Sequence, residues 1–391
     1  MEAPTIAAPP NTTTLILDSV PKGVHVGIDS SSFSATDSFR GIKLIPAGLH
    51  HVWISTTLGL RNGFWLQCTT GTYHYRYDIS TESLITSDEP TTLTPELWNH
   101  GLTSYRQRLP GGEETPASDA WQGMISGITP KVLTRILGKG WGMETTSASD
   151  GEEDDTQNLP LMPGEASEHK IHYTPIDLKK TWPAEAMGSE RTEMARDRSW
   201  ALSQVPDALG EMQTAFVAGF YLGNFASARQ WRNIVTLALT SRKAVGDKQD
   251  WFVDFLVVLR KQVEVVMEDD GAGFLGDEAM EEVKKLLRGF GKMLREEEEE
   301  NPSRGRKVRM AFKMLAEWAY TKLDWILDTR DILRKGTVQT EEGDILEVQE
   351  EGLDEEEETG EYAPAVVMMS RSPSPEPMPI GDDEEEDDPR F

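Results

Sequence analysis

Cysteine is almost missing from this chain. The 391 residues hold one, Cys68, which excludes an intramolecular disulfide and any multi-cysteine zinc site and fits a reducing compartment. Apolar runs of about 18 residues, the length a membrane helix needs, are lacking too. The N-terminus, M-E-A-P-T-I-A-A-P-P, has neither the basic start nor the apolar stretch of a secretory signal. A soluble, intracellular protein with no membrane contact is the expectation. Positive charge is scarce: 39 Lys and Arg face 67 Asp and Glu, a formal net charge of −28. Phosphate backbones would repel such a molecule, so no direct nucleic-acid binding is expected. The imbalance is uneven, because residues 341–391 alone carry 20 acids against 2 bases.

Composition divides the rest. Residues 1–13 read as a disordered N-terminus. Residues 14–146 read as a β-rich domain with short strands at Thr14–Leu17, Val24–Asp29, Phe39–Ile45, His50–Thr56, Gly63–Thr69 and Thr72–Asp78. Within the last, Tyr73, Tyr75 and Tyr77 alternate with His74 and Arg76, which puts three rings on one half-buried face. Pro95–Arg106 and Pro130–Leu137 read as short helices covering an open end of the sheet. Residues 147–168 are an acidic, proline-punctuated linker. From 169 to 335 a 3.6-residue period predicts an all-helical domain, with apolar stripes such as Leu209, Met212, Phe216 and Phe220, or Phe252, Phe255, Leu256, Leu259 and Val263. Ser189 or Thr192 would cap a helix running through Val205, and the last helix would reach Ile326. Tyr221–Trp231 is like the turn of a tetratricopeptide repeat, but no 34-residue self-similarity follows, so one such turn in a compact bundle is expected. Residues 336–391 read as a disordered acidic tail. The fold class is therefore α+β multidomain: a β-sandwich or barrel-like domain, then an all-α helical domain, then the tail.

Chemistry of the catalytic kinds finds little support. His25, His50, His51 and His74 fall in the β-rich part near Asp29, yet adjacent His50 and His51 would face opposite sides of a strand, so at most one joins any metal site. Cys68 sits in a strand pattern where a thiol fills core space. Asp29 precedes a serine run without the order or second copy of an aspartic-protease dyad, and reads as a turn cap. No phosphate-binding or dinucleotide glycine motif occurs in the required context. No enzyme, no cofactor and no metal is the resulting expectation. The basic cluster Arg304, Arg306, Lys307 and Arg309 reads as a solvated helix face, with a nuclear signal as the alternative.

The segment from Pro21 to His50 is different, since its glycines and prolines are regularly placed. It runs P-K-G-V-H-V-G-I-D, then F-R-G-I-K-L-I-P-A-G-L-H, a strand–turn–strand–turn–strand module built on Pro21, Gly23, Gly27, Asp29, Phe39, Arg40, Gly41, Pro46, Gly48 and His50. This order resembles the A-one cistron splicing factor family, the AAR-two proteins. H-Y-T-P-I-D-L before residue 180 and L-G-E-M-Q-T-A-F-V-A-G-F-Y-L-G-N-F at Leu209–Phe225 are similar to a second segment of the same family. The resemblance implies a non-enzymatic assembly factor of the U-five small nuclear ribonucleoprotein (snRNP), present in cytoplasm and nucleus. It implies partners as well: the RNase H-like and Jab/MPN-like domains at the C-terminus of the U-five scaffold protein, held so that the spliceosomal unwinding helicase stays off them.

In the tail, Ala365, Val366, Val367, Met368 and Met369 form an apolar, β-prone island between acidic runs. Such an island suits addition to the edge of a partner's sheet, and the family resemblance implies docking onto the scaffold. Ser372-Pro373 and Ser374-Pro375 follow as proline-directed phosphorylation sites, whose added negative charge would weaken docking. Ser147 and Ser149 would act likewise in the linker. The alternative reading is an acidic chaperone of basic histone or ribosomal proteins, in which the tail supplies the affinity.

Overall fold

The computed structural model describes residues 9–88, 92–108, 114–115, 119–149, 170–268, 273–327, 333–339 and 345–351. Residues 1–328 make one compact unit and residues 329–391 a second.

The first unit begins with two five-stranded sheets, in agreement with the β-rich expectation. The strands are β1 (Thr12–Asp18), β2 (His25–Ile28), β3 (Ser31–Ser34), β4 (Gly41–Pro46), β5 (Gly48–Ser55), β6 (Arg61–Cys68), β7 (Gly71–Asp78), β8 (Ser83–Thr86) and β9 (Leu102–Ser104), with a short pair β10 (Gln107–Arg108) and β11 (Glu114–Thr115), and β12 (Gly142–Glu144). One sheet runs β8-β7-β1-β4-β9 and the other β12-β6-β5-β2-β3. The family-like module is thus shared: β4 lies in the first sheet, β2 and β5 in the second, and Pro46–Gly48 carries the chain between them.

Between the sheets lie Leu15, Leu17, Ile42 and Tyr77 of the first against Val26, Ile28, Val52, Ile54, Leu66 and Cys68 of the second. Tyr73 and Tyr75 pack on the same cluster as Tyr77, so the three rings share a face as their alternation requires. The outer face of the second sheet is buried as well. Leu49, Trp53, Trp65 and Met143 join a core built mainly from helices. Every residue of β5 from Leu49 to Ile54 is buried in consequence, and a strand covered on both faces reads as a continuous run rather than an alternation.

Two expectations change. Of Pro95–Arg106 only residues 95–101 are helical, ending in a π-helical turn at Leu97–Gly101 that leads into β9, which pairs in parallel with β4. Leu93, Leu97, Trp98 and Leu102 then cover Ile16 on the outer face of the first sheet. Secondly, the helix expected through Val205 is two, α3 (Gly188–Arg196) and α4 (Ser199–Ser203), once α1 (Asp119–Met124) and α2 (Pro130–Leu137) have been counted. Asp197 breaks it by accepting hydrogen bonds at Oδ1 from Ser199 N (3.1 Å) and Ser199 Oγ (2.5 Å). By contrast α2 occupies the expected residues, with Thr129 as N-cap and Pro130 in the first turn.

The helices continue as α5 (Ala208–Tyr221), α6 (Phe225–Leu239), α7 (Arg242–Asp247), α8 (Gln249–Met267), α9 (Asp277–Glu300) and α10 (Arg306–Leu323). None of the described helices is long and apolar enough to cross a membrane. In the second unit β13 (Leu333–Gln339) pairs antiparallel with β14 (Ile345–Glu351).

Candidate functional site

The residues of the family-like module gather around one buried carboxylate. Asp29 sits at φ 53°, a left-handed conformation, and its N–H donates to the His51 carbonyl (2.8 Å). Its carboxylate turns inward instead of capping the turn. Oδ2 accepts from the Tyr105 hydroxyl (2.6 Å) and lies 2.6 Å from His50 Nδ1, while Oδ1 accepts from His51 N (2.9 Å). His50 Nε2 faces the Pro46 carbonyl at 3.0 Å. Both ring nitrogens of His50 therefore meet acceptors, and only the doubly protonated imidazolium satisfies both. Burial lowers the His50 pKa, but the Asp29 charge, its hydrogen bond and the Pro46 carbonyl together raise it above the ordinary 6.5.

His51 points the other way, against Trp65 (ring centroids 5.1 Å). Its Nδ1 has no hydrogen-bond partner among the described residues, and burial alone lowers its pKa to about 3. Neighbouring histidines on opposite faces of one strand thus have their pKa values moved in opposite directions, His50 up and His51 down. Burial likewise pushes the Cys68 thiol up to about 12, which leaves it a core residue rather than a nucleophile. Among the described residues no cluster of three metal-ligating side chains is present.

The other module residues are structural neighbours of this network. Phe39 is buried edge-on against Phe33 (5.3 Å). Arg40 donates through Nη1 to the carbonyls of Phe39 (2.7 Å) and Asp37 (3.0 Å). Gly27 lies under the Trp53 indole, and a Cβ built there would fall inside that ring. Pro21 and Gly23 make the turn before β2, with the Pro21 carbonyl accepting from Val24 N (3.3 Å). Gly41 and Gly48 begin β4 and β5. The docking island Ala365–Met369 and the serines Ser372 and Ser374 lie outside the described residues. Ser147 is buried and donates no free surface: its carbonyl accepts from Asn224 Nδ2 (2.7 Å) and its hydroxyl from Glu144 N (3.0 Å). The basic cluster is engaged by acids of other helices, Arg304 with Asp247 (3.3 Å), Lys307 with Asp250 (2.7 Å) and Arg309 with Glu298 (3.4 Å).

A second buried network, unforeseen residue by residue, joins the sheets to the helices. Asn224 caps α6 by accepting from Ser227 N (2.8 Å), and its Nδ2 donates to the carbonyls of Glu144 (3.1 Å), Thr145 (3.0 Å) and Ser147. Thr145 Oγ1 donates to the Leu222 carbonyl and Arg61 Nη1 to that of Tyr221, both at 2.6 Å. Near the start of α5 the fully buried Glu211 accepts from Arg135 Nη1 (2.7 Å), Thr174 N (2.8 Å), Thr174 Oγ1 (2.9 Å) and Gln230 Nε2 (2.7 Å). Tyr173 completes it through Ser227 (2.9 Å). Gly210 lets α5 approach Gly127, whose carbonyl occupies the space any Cβ at 210 would need. The two family-like segments of the helical half, H-Y-T-P-I-D-L and Leu209–Phe225, thus both contribute to this joint, the first through Tyr173 and Thr174 and the second through Glu211 and Asn224.

Fold and joint together define a scaffold in which buried polar residues lock a two-sheet unit to a helical array. The family follows from direct comparison. The AAR2 N-terminal domain matches residues 11–138 and the AAR2 C-terminal repeat region matches residues 173–328, and the chain belongs to the AAR2 family. Its curated relatives include the Protein AAR2 homolog of Mus musculus, 25% identical over 299 residues, covering 66% of this chain and 76% of that one. The Protein AAR2 homolog of Oryctolagus cuniculus is 27% identical over 270 residues, covering 66% and 73%. The A1 cistron-splicing factor AAR2 of Saccharomyces cerevisiae is 25% identical over 266 residues, covering 61% and 74%.

Proposed function

We propose that this chain is a splicing factor acting in snRNP assembly, a binding protein rather than an enzyme. The observation that carries the reading is that the family match covers both halves, residues 11–138 and 173–328, and with them Arg61, Arg135, Glu211 and Asn224 of the polar joint. The Saccharomyces cerevisiae relative is itself named a splicing factor. In the finer form of the proposal, the partner is the U-five scaffold protein, held at its RNase H-like and Jab/MPN-like domains so that the unwinding helicase is kept off until assembly has advanced. Ala365–Met369 supplies an added strand to that partner, and phosphorylation of Ser372 and Ser374 weakens the contact. Cytoplasm and nucleus are the proposed locations. The charge of residues 341–391 favours a second reading, an acidic chaperone of histone or ribosomal proteins.

Affinity purification from cell extract separates the two, using the full chain and a version ending at Asp328, with bound proteins identified by mass spectrometry. Recovery of the U-five scaffold by the full chain, with reduced recovery by the short one, supports the assembly reading and the tail strand. Histones or ribosomal proteins in its place, lost steeply with added salt, support the second reading and sink the first.

A further inference from the structure

Helix α9 carries its charges in blocks. Acids open it at Asp277, Glu278, Glu281 and Glu282 and close it at Glu296–Glu300, while Val283–Arg295 holds five bases, Lys284, Lys285, Arg288, Lys292 and Arg295, and no acid. At about 100° per residue the five fall within an arc of about 100°, a stripe about 17 Å long. Several flanking acids are engaged: Glu281 with Lys284 (3.3 Å), Glu296 with Arg242 (2.9 Å) and Glu298 with Arg309 (3.4 Å). On α10, whose Phe312 packs against Phe290 of α9 (5.6 Å), Lys313 and Glu317 cancel. Setting Lys284 against Glu281 leaves the stripe four positive charges in excess, in a molecule of net charge −28. The chain leaves the helical body at the middle of this stripe. Arg288 Nε donates to the Ile326 carbonyl (3.0 Å), and the Leu327 carbonyl lies 3.5 Å from where a Cβ at Gly291 would stand.

From this we infer that the stripe is the docking site for an acidic run of the same chain, Asp354–Glu358, which lies outside the described residues. Two observations select this occupant. The first is charge. Asp354, Glu355, Glu356, Glu357 and Glu358 are five consecutive acids, set in a segment, 341–391, that holds 20 acids against 2 bases. The second is the path of the chain. Leu333 of β13 pairs with Glu351 of β14, so the hairpin brings the chain back beside its own start, and Asp354 follows three residues later. From Leu327 to Asp354 the tether is therefore at most about 35 Å, at about 3.3–3.6 Å per residue and about 5 Å between paired strands. Leu327 stands at the middle of the stripe, so every base on it is within reach. A tether this short holds the run at an effective concentration on the order of mM. The later run Asp382–Asp388 has more acids but lies 28 residues farther along the chain, and its advantage is smaller. The acids at both ends of α9 repel the run and confine it to the middle turns. Docked there, Asp354–Glu358 is withheld from basic partners, which must compete with the stripe for it. The inference does not depend on which partner the family reading names.

The test is zero-length carbodiimide cross-linking of the full chain, dilute and at low ionic strength, as a mixture of ¹⁵N-labelled and unlabelled protein read by mass spectrometry. Amides from Asp354–Glu358 to Lys284, Lys285 or Lys292 are expected, each within a single chain. Their yield should exceed by about fivefold or more that to the exposed Lys131 and Lys179, and that made by Asp382–Asp388 with the same stripe. About 1 M salt, where the screening length is about 3 Å, should abolish them. Arg288→Gln with Arg295→Gln leaves the three reporting lysines in place and should lower the yield by about fivefold or more, whereas Arg288→Lys with Arg295→Lys keeps the charge and the yield. Unchanged near-ultraviolet circular dichroism confirms that the variants fold, and the cross-link pattern of the parent decides the matter without them. Equal yields across the surface lysines, equal yields from Asp382–Asp388, or products that join labelled to unlabelled chains would each overturn the inference. So would binding of single-stranded oligo-uridine to the stripe with no cross-link from Asp354–Glu358.

Discussion

Asp29 raises the pKa of one of two adjacent histidines while burial lowers that of the other, and pH should separate them. His50 has a folded pKa above its unfolded value near 6.5. Its contribution is complete below that value and is lost as pH rises through the folded pKa. His51 has a folded pKa of about 3, so between pH 6.5 and 3 the unfolded chain binds a proton that the folded chain refuses. Stability therefore falls with acidification, by up to about 1.4 kcal/mol per pH unit. Urea denaturation from pH 4 to 8 should show His51→Phe flattening the acid side relative to the parent, and His50→Gln removing a loss on the alkaline side. At pH 6, His50→Gln should cost about 2–4 kcal/mol, because it leaves a buried carboxylate with one donor fewer and no counter-charge. Identical pH profiles for the two variants would refute the assignment. Gly27→Ala tests packing beside the same network. The methyl must displace the Trp53 indole, and overpacking of this kind costs about 1–3 kcal/mol, readable as a lower urea midpoint at unchanged slope.

At the scale of elements, one amide, that of Asn224, takes three carbonyls of the loop at Glu144–Ser147. Asn224→Ala removes the donor to the carbonyls of Glu144, Thr145 and the buried Ser147 and the cap of α6, and should cost about 2–4 kcal/mol. Hydrogen exchange should rise first at Glu144–Ser147 and at the start of α6, whereas uniform loss of protection would place the role of Asn224 elsewhere. Such joints were partly legible in the sequence. Helix α5 is apolar almost all round, and Glu211 is its one charged residue. A helix of that kind is buried, so a lone acid within it demands partners, although spacing cannot say that Arg135, Thr174 and Gln230 supply them. The longer strands were readable from β-branched and aromatic residues, as in T-L-I-L of β1. The four-residue β3, S-S-F-S, was not, because serine carries no strand signal and its place depends on pairing with β2. Nor was β9, whose partner β4 lies some sixty residues away and whose sequence alone favours a helix started by Pro95. Asp29 was legible as a turn residue, and its inward carboxylate was hidden because Tyr105 arrives from a distant segment.

Across the molecule, the largest consequence is that the helices have no core independent of the sheets: the two sheets enclose a cluster of their own, but the outer face of the second belongs to the helical core. One face of the second sheet contributes Leu49, Trp53, Trp65 and Met143 to the cluster that also holds Trp121, Met212, Phe216 and Trp231. An aromatic chain crosses the boundary, from Trp65 to Trp121 (6.1 Å) and on to Tyr221 (6.3 Å). Trp121 further ties to β5 by donating from Nε1 to the Leu49 carbonyl (3.0 Å). Separating the halves would expose these rings and strand Asn224, Glu211 and their partners without hydrogen bonds, each buried polar group left so costing about 1–3 kcal/mol. The opening of either half thus removes what holds the other, and residues 9–327 should unfold in a single cooperative step. Calorimetry of a chain ending at Asp328 should give equal calorimetric and van't Hoff enthalpies, with tryptophan fluorescence and far-ultraviolet circular dichroism melting together. A fragment ending at Ser149 should keep strand content, lose near-ultraviolet dichroism and bind a hydrophobic dye, because the outer face of its second sheet is bare. Two resolved transitions, or a fragment with native tertiary signals, would show that the shared core is not the source of cooperativity.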